Sequence, residues 1–269
     1  MLFFGKAHAA TTNLPVTETM SLWDRIQPPV DISANGHLIT DLFSYTTYMV
    51  IFFFILVCLG LFGFSYFYSE KRNKKPLYTY GNKGSHKKLG LVFGLAVFVL
   101  IDMKISVQSN NDLVGTFFNF PKADEDVLRV QVMGQQWLWK IRYPGKDNVF
   151  NTDDDIVTIN DLRLPTDKKV VVQMTSKDVI HSFYLPNIRQ KRDLMPGRIS
   201  RIWFELKKPG EFDLACAEMC GTHHYIMKGK LTVYKKDEFE AWLSRAEQIA
   251  LSENDPEDAD RYWGWKWEN

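Results

Sequence analysis

The chain has 269 residues, room for a membrane anchor and one globular domain of ordinary size, and its net charge of +1 singles out no class of partner. Three cysteines exclude a disulfide framework, and no Cys-x-x-Cys-His run is present to attach a c-type haem. Residues 1–40 read as an external lead-in: Ala7–His8–Ala9–Ala10 has the small-residue pattern of a signal-peptidase site, and Pro15, Pro28 and Pro29 punctuate a polar stretch. Leu2–Phe4 is shorter than the apolar region of an ordinary leader, and we read the start as a clipped signal sequence rather than a retained segment.

A membrane hairpin is expected over 41–110. Tyr45–Tyr68 is twenty-four residues without a charge, which at about 1.5 Å per residue crosses a bilayer core of ~30 Å. Glu70–Lys88 follows with Lys71, Arg72, Lys74, Lys75, Lys83, Lys87 and Lys88 against one acid. So basic a loop stays on the cytoplasmic side, which places both termini outside. Leu89–Ile101 is a second, shorter apolar run, with Asp102 and Lys104 snorkelling at the outer interface. A buried helix of a soluble domain is the competing reading of that run.

From Ala123 the apolar period changes to two. Leu128, Val130 and Val132 alternate with polar residues, as do Val170, Val172 and Met174, then Ile202, Phe204 and Leu206, then Leu231 and Val233. Pro144–Gly145, Pro196–Gly197 and Pro209–Gly210 punctuate them, so 111–245 reads as an antiparallel Greek-key β-sandwich. Asp237–Leu251 carries Phe239, Trp242 and Ile249 at helical spacing, and predicts one helix. Within 246–269 the tail is acidic and ends Tyr262–Trp263–Gly264–Trp265–Lys266–Trp267, aromatics suited to a neighbouring subunit or the lipid interface.

The chemistry is concentrated in Cys216–Met227. Thiolate and thioether are soft ligands and imidazole suits copper, whereas tetrahedral zinc sites do not use methionine. Cys216 and Cys220 can both point into one loop and bridge two copper ions, with His224 and Met227 close by. A second imidazole must come from elsewhere, and His181, ending an apolar run, is the best candidate. Singly, each residue has a plainer reading: a short-loop disulfide for the cysteines, core packing for Met227, a surface hydrogen bond for His224.

This stretch resembles the metal loop of subunit II of haem-copper cytochrome c oxidases, and the likeness extends over about 28–245. The resemblance implies a cupredoxin-like sandwich behind a two-helix anchor in the bacterial inner membrane. It also implies a dinuclear Cu-A centre. Cys216 and Cys220 would bridge the coppers, His181 and Met227 would serve one, and His224 with the backbone carbonyl of Glu218 the other. The Glu218 side chain would hold magnesium at the border with subunit I. Trp137, in Gly134–Gln135–Gln136–Trp137–Leu138–Trp139, matches the family's tryptophan where electrons come in, whereas Trp139 reads as packing. Arg198, after Pro196–Gly197, matches an arginine between the copper and the haem, where its planar fork suits propionates; a surface turn arginine is the alternative.

The implied function is acceptance of electrons from cytochrome c, or from a membrane-bound cytochrome, and their delivery to haem in subunit I for reduction of oxygen to water. Other oxidase subunits are implied partners; nucleic acid is not. Asp147, Asp153, Asp154, Asp155, Asp161 and Asp178 offer an acidic face that would steer a basic donor, or merely a solvated loop. Gly90 stands where the family often has a glutamate opening the second helix, and no proline follows. That departure keeps the small subunit of a copper-A nitric-oxide reductase as a rival. A membrane-tethered copper-delivery protein is a third reading.

Overall fold

A computed structural model describes residues 28–72, 75, 80–122, 126–252 and 263–267. The signal-like Ala7–Ala10, the lead-in up to 27, Lys74 and the acidic part of the tail lie outside them. One compact unit, Leu38–Asn119, is helical; the described residues before and after it form the other.

In the helical unit, α1 (Gly36–Phe67) and α2 (Gly84–Phe117) are both long and apolar enough to cross a membrane by length and composition. Phe52, Phe54 and Phe62 of α1 stand exposed, as residues in contact with lipid would. The helices touch where the Tyr45 hydroxyl donates to Leu100 O at 3.1 Å and Phe53 meets Phe93 edge-on at 6.5 Å. Lys104 lies over the Tyr45 ring, 3.9 Å from its centre, so its charge is turned back along the helix surface. The apolar run alone ends α2 near Asp102, but the helix continues to Phe117 through two π-helical turns, Phe98–Asp102 and Leu113–Phe117. Backbone hydrogen bonding supports a helix whatever its side chains, so hydropathy marked the apolar part and not the helix end.

The other unit is a sandwich of two five-stranded sheets. The strands are β1 (Val127–Gln135), β2 (Leu138–Tyr143), β3 (Ile156–Ile159), β4 (Asp161–Pro165), β5 (Lys169–Ser176), β6 (His181–Leu185), β7 (Gln190–Leu194), β8 (Ser200–Glu205), β9 (Gly210–Cys216) and β10 (Lys228–Tyr234). Their orders are β3-β2-β1-β5-β8 and β4-β10-β9-β6-β7. Val130, Val132, Val170, Val172 and Phe204 of the first sheet meet Leu164, Phe183, Leu185, Leu214 and Leu231 of the second in one core, on the faces that the alternation assigned. Each such side chain contributes ~1.5–3 kcal/mol on burial.

The sheets are mixed rather than wholly antiparallel, since β1 pairs with β5, and β4 with β10, in parallel. Parallel pairing needs a crossover, and the chain makes one by visiting β4 in the second sheet between β3 and β5. Ile32, 1% exposed, adds to this core; its N–H donates to Asn187 O at 3.0 Å and its carbonyl accepts from Lys207 N–H at 2.7 Å. The described end of the lead-in, around Ile32, therefore belongs to the sandwich.

A closing helix, α3 (Lys236–Ser252), buries Phe239 and Trp242 and packs Leu243, Ala246 and Ala250 on the core. Ile249 departs from its expected place: it shares the side of Trp242, one heptad on, yet is 55% exposed.

Alternation should leave Gln131, Lys140, Arg142 and Gln173 on the solvent face of the first sheet, yet all four are buried. Residues 263–267, the described part of the tail, account for much of this by packing on their own domain. Gln131 Nε2 donates to Trp265 O at 2.8 Å, and Trp265 Nε1 donates to Gln173 Oε1 at 3.0 Å. The Arg142 guanidinium lies 4.6 Å from the centre of the Trp263 ring, and Trp267 stacks on Phe150 at 5.3 Å. Gly264, at φ +127°, brings the backbone so close that a Cβ would stand 2.7 Å from Gln131 Oε1. Beneath the rings, Arg142 pairs with Asp155 at 3.4 Å, a buried ion pair that water would otherwise reach. Trp263→Ala removes a buried ring from this cover and is expected to cost ~3–5 kcal/mol. Thermal unfolding of the full chain in detergent measures it, and an unshifted midpoint would show that the cover contributes nothing.

Candidate metal centre

His181, Cys216, Glu218, Cys220, His224 and Met227 meet at one end of the sandwich. β6 and β9 are antiparallel neighbours with Phe183 opposite Cys216, so His181, which opens β6, and Cys216, which closes β9, share that end. The chain then turns through Gly221, at φ +118°, and a 3-10 turn over His224–Ile226 before β10 begins. Backbone bonds fix this loop: Ala217 N–H donates to Ser182 O at 3.0 Å, and Cys216 N–H to Met227 O at 3.1 Å.

The donor atoms converge. Cys216 Sγ lies 3.8 Å from Cys220 Sγ, 3.9 Å from His181 Nδ1 and 3.3 Å from Glu218 O. Cys220 Sγ lies 3.5 Å from His224 Nδ1 and 3.7 Å from Met227 Sδ. Both cysteines are free thiols, far beyond the ~2.05 Å of a disulfide. Met227 and His181 are buried, so the thioether has no water to compete for it, while Cys216 and His224 are half-buried. The side chain of Glu218 is exposed and only its carbonyl reaches the cluster.

Residues that the sequence did not assign to the site hold the first imidazole in place. Asp178 Oδ1 is 2.8 Å from His181 Nε2, so the ring keeps a proton there and its Nδ1 faces Cys216, to donate to the thiolate when protonated and to offer a lone pair when not. A Cβ at Gly134 would stand 3.0 Å from His181 Cδ2, so a larger residue in β1 would press on the ring and shift it. Trp139, fully buried, sets its edge toward that ring at 6.1 Å and toward Phe183 at 5.6 Å, in keeping with a packing role. The motif Gly134–Trp139 carried the glycine and the tryptophan but not Asp178, and a glycine's close approach is visible only once the second strand is in place.

Trp137 is half-buried; its indole N–H donates to Cys220 O at 3.3 Å and its ring meets His223 at 4.5 Å. Gln136 Nε2 donates to the same carbonyl at 2.8 Å. Arg198 is exposed on the turn between β7 and β8, and its backbone is held by Thr175, whose hydroxyl donates to Arg198 O at 3.0 Å. The acidic residues do not form one face. Asp155 is buried under Arg142, Asp161 pairs with Arg163 at 2.7 Å, and Asp178 serves His181, while Asp147 and Asp153 are exposed.

The electrostatics of the metal-free cluster favour one thiolate. Burial pushes Cys216 up, but hydrogen bonds from His181, from the Ser182 region and from the rest of the loop outweigh it and bring the thiol down to about 6. Burial and the neighbouring Cys216 charge push Cys220 up to about 12. Burial lowers His181, yet Cys216 and Asp178 together hold it above its ordinary value. Burial likewise raises Asp178, but the N–H groups of Gln136, His181 and Val179 prevail and hold it below the usual range. Two anionic sulfurs this close repel each other, and a cation between them removes that repulsion. The donor set of two thiols, two imidazoles, a thioether and a carbonyl suits soft copper.

In comparison with known proteins, the family described as cytochrome c oxidase subunit II, periplasmic domain, matches residues 128–233. An alternative cytochrome c oxidase subunit 2 of Bradyrhizobium diazoefficiens is 30% identical over 241 residues, 81% of this chain and 84% of that one. Cytochrome c oxidase subunit 2 of Cereibacter sphaeroides is 28% identical over 228 residues, 74% of this chain and 71% of that protein. The crystal structure of the periplasmic domain of cytochrome oxidase subunit II of Bradyrhizobium japonicum is 31% identical, with a TM-score of 0.42 over 48% of this chain and 97% of that one.

The unequal thiols give a direct test on the metal-free chain carrying Cys58→Ser. Below about pH 6 the proton protects Cys216 from alkylation; above it the thiolate is formed and the rate levels off. One modification at neutral pH, mapping to Cys216, is expected by mass spectrometry. Two equal reactions with midpoints near an ordinary ~8.5 would show that the cluster does not separate the thiols.

Proposed function

The chain belongs to the subunit II family of cytochrome c oxidases, oxidoreductases of the haem-copper class, and on that premise we propose that it is the subunit through which electrons reach the oxidase. It would accept them singly from a cytochrome c at a dinuclear copper centre and pass them to haem in subunit I, where oxygen is reduced to water. The observation that carries this reading is the convergence of two unbonded thiols with four further donors on one loop and one strand end.

In this reading Cys216 and Cys220, with His181, Met227, His224 and the Glu218 carbonyl, would hold the copper pair. When bound, a copper pair supplies a one-electron carrier whose charge is shared over two thiolates. The protein's part is to hold the donors still, so that little rearranges as charge comes and goes. β6 and β9 do this for His181 and Cys216, and the hydrogen-bonded loop does it for the rest.

Trp137 is the proposed point of arrival. Its ring reaches the surface and its N–H touches the carbonyl of Cys220, a short bonded path to a sulfur. Arg198, exposed on its turn, is proposed to face haem propionates of subunit I, and the exposed Glu218 carboxylate to hold magnesium at that border. We place the basic Glu70–Lys88 segment in the cytoplasm and the sandwich on the periplasmic side of a bacterial inner membrane. The donor is a soluble or membrane-bound cytochrome. Against copper delivery stand the buried Cys220 and Met227, which a transfer partner could not reach. The nitric-oxide reductase reading rests on Gly90 alone.

Purified with its partner subunits, the protein should carry two coppers per chain, a paramagnetic signal shared by two nuclei, and turnover with oxygen. One copper with a four-line spectrum would refute the dinuclear site, and turnover with nitric oxide alone would favour the rival enzyme.

Trp137→Gln separates electron arrival from copper holding, since the indole donates to no metal. Copper content and melting temperature should stay near normal while uptake from reduced cytochrome c falls by orders of magnitude. If Trp137 were only core packing, its loss would cost ~3–5 kcal/mol and release copper. Fast uptake in a folded, loaded variant would end the proposed role.

A further inference from the structure

We propose that Asp178 is a positioning residue for electron transfer into the site, a single carboxylate that makes the His181 ring and the Gln136–Trp137 turn move as one unit. The inference rests on the reading of this chain as the copper-bearing subunit. Asp178 sits in the loop between β5 and β6, and its two oxygens serve different elements. Oδ1 accepts from His181 Nε2 at 2.8 Å and from Val179 N–H at 2.6 Å, while Oδ2 accepts from Gln136 N–H at 2.7 Å. The same turn is tied to the metal loop from its other side, where Gln136 Nε2 and Trp137 Nε1 both donate to Cys220 O.

The contacts close a circuit. From Asp178 it runs through the His181 ring to Cys216, across to Cys220, out through the Cys220 carbonyl to the Gln136–Trp137 turn, and back to Asp178. A displacement of the tryptophan turn therefore pulls on the carboxylate that orients the imidazole, and a rotation of the imidazole pulls on the turn. A carboxylate that merely steers a basic donor needs none of these contacts and works best with its oxygens in water. The Asp178 side chain is 27% exposed and both of its oxygens accept N–H groups.

Asparagine at this position has the same shape but one acceptor. With its oxygen kept on His181 and Val179, its NH2 group faces the Gln136 N–H donor and the turn is released. Glutamate keeps the charge and both acceptors but moves them outward by one methylene. On the intact oxidase complex, copper content, hydrogen exchange of the Gln136 amide and electron uptake from reduced cytochrome c are measured for wild type, Asp178→Asn, Asp178→Glu and Ser176→Ala. The last loosens the loop while leaving both carboxylate oxygens to His181, Val179 and Gln136, because Ser176 Oγ accepts the Asp178 N–H, donates to Val179 O and reaches Asp178 Oδ1 only at a long 3.4 Å.

Asp178→Asn is expected to keep two coppers, to lose protection at Gln136, and to slow uptake ~10–100-fold, as loss of partners behind a metal ligand does. The deficit should persist at about 1 M salt, where charges are screened within ~3 Å. Asp178→Glu should also be slow, and Ser176→Ala near normal. A deficit that vanishes at high salt with Gln136 still protected, or a normal Asp178→Glu, would make Asp178 a steering charge and overturn the proposal. Loss of copper from both Asp178 variants, or equal slowing by Ser176→Ala, would overturn it as well. Wild type without a copper pair would instead defeat the underlying reading, whereas a loaded wild type matched by Asp178→Asn defeats this inference alone.

Discussion

Two sulfur atoms held 3.8 Å apart without a bond between them set the terms for the rest of this domain. In the metal-free chain only one of them ionises readily, because the first negative charge and the burial of Cys220 oppose the second. Keeping such a pair unbonded and aligned takes a scaffold that resists both collapse to a disulfide and drift apart. The sandwich supplies one: Cys216 ends a paired strand, and Cys220 is buried against His224 and Met227.

Preorganisation at that end has a counterpart on the first sheet's outer face. Gln131, Arg142 and Gln173 lie on the strands that lead to or flank the Gly134–Trp137 turn, and the tail covers them. A sheet buried on both faces twists and slides less than one open to water, which suits a turn that must hold a tryptophan against a ligand carbonyl. The cover has its own cost, since Arg142 and Asp155 give up hydration and must satisfy each other, with burial raising Asp155 to about 6.

Hydrogen bonds rather than metal contacts distinguish the two histidines. His181 is buried, backed by Asp178, flanked by Trp139 and pressed by Gly134, whereas His224 is half-buried on a 3-10 turn. The one is fixed by two sheets and the other by a loop, so the two ends of the cluster differ in stiffness. His223, next in chain to His224, spends its ring on Trp137 instead. Adjacent imidazoles thus face a donor cluster and an aromatic surface, a division that spacing alone leaves open.

Chemistry that depends on residue type and short spacing was legible in the sequence. Cys216, Cys220, His224 and Met227 lie within one loop, so any compact turn brings them close, and the period-two runs named the inward faces of β1, β5, β8 and β10 correctly. Apolar length likewise marked both long helices. What required the tertiary structure was everything that depends on a distant neighbour. Parallel pairing of β1 with β5 follows from a crossover that alternation cannot register. The end of α2 lies past the continuous apolar run because backbone hydrogen bonds, not hydropathy, sustain it. Ile249 shared a helical spacing with Trp242, yet two turns further along α3 it is left exposed while Trp242 is buried. Gln131, Arg142 and Gln173 looked solvent-facing until a tail more than a hundred residues away in the chain of Gln131 folded back on them. Asp178 read as one more surface acid, and became the partner of His181 because β5, β6 and the Gln136 turn converge on it. A sequence states which groups exist and what lies next to them along the chain; which groups share a hydrogen bond across sheets is decided only when the fold brings them together.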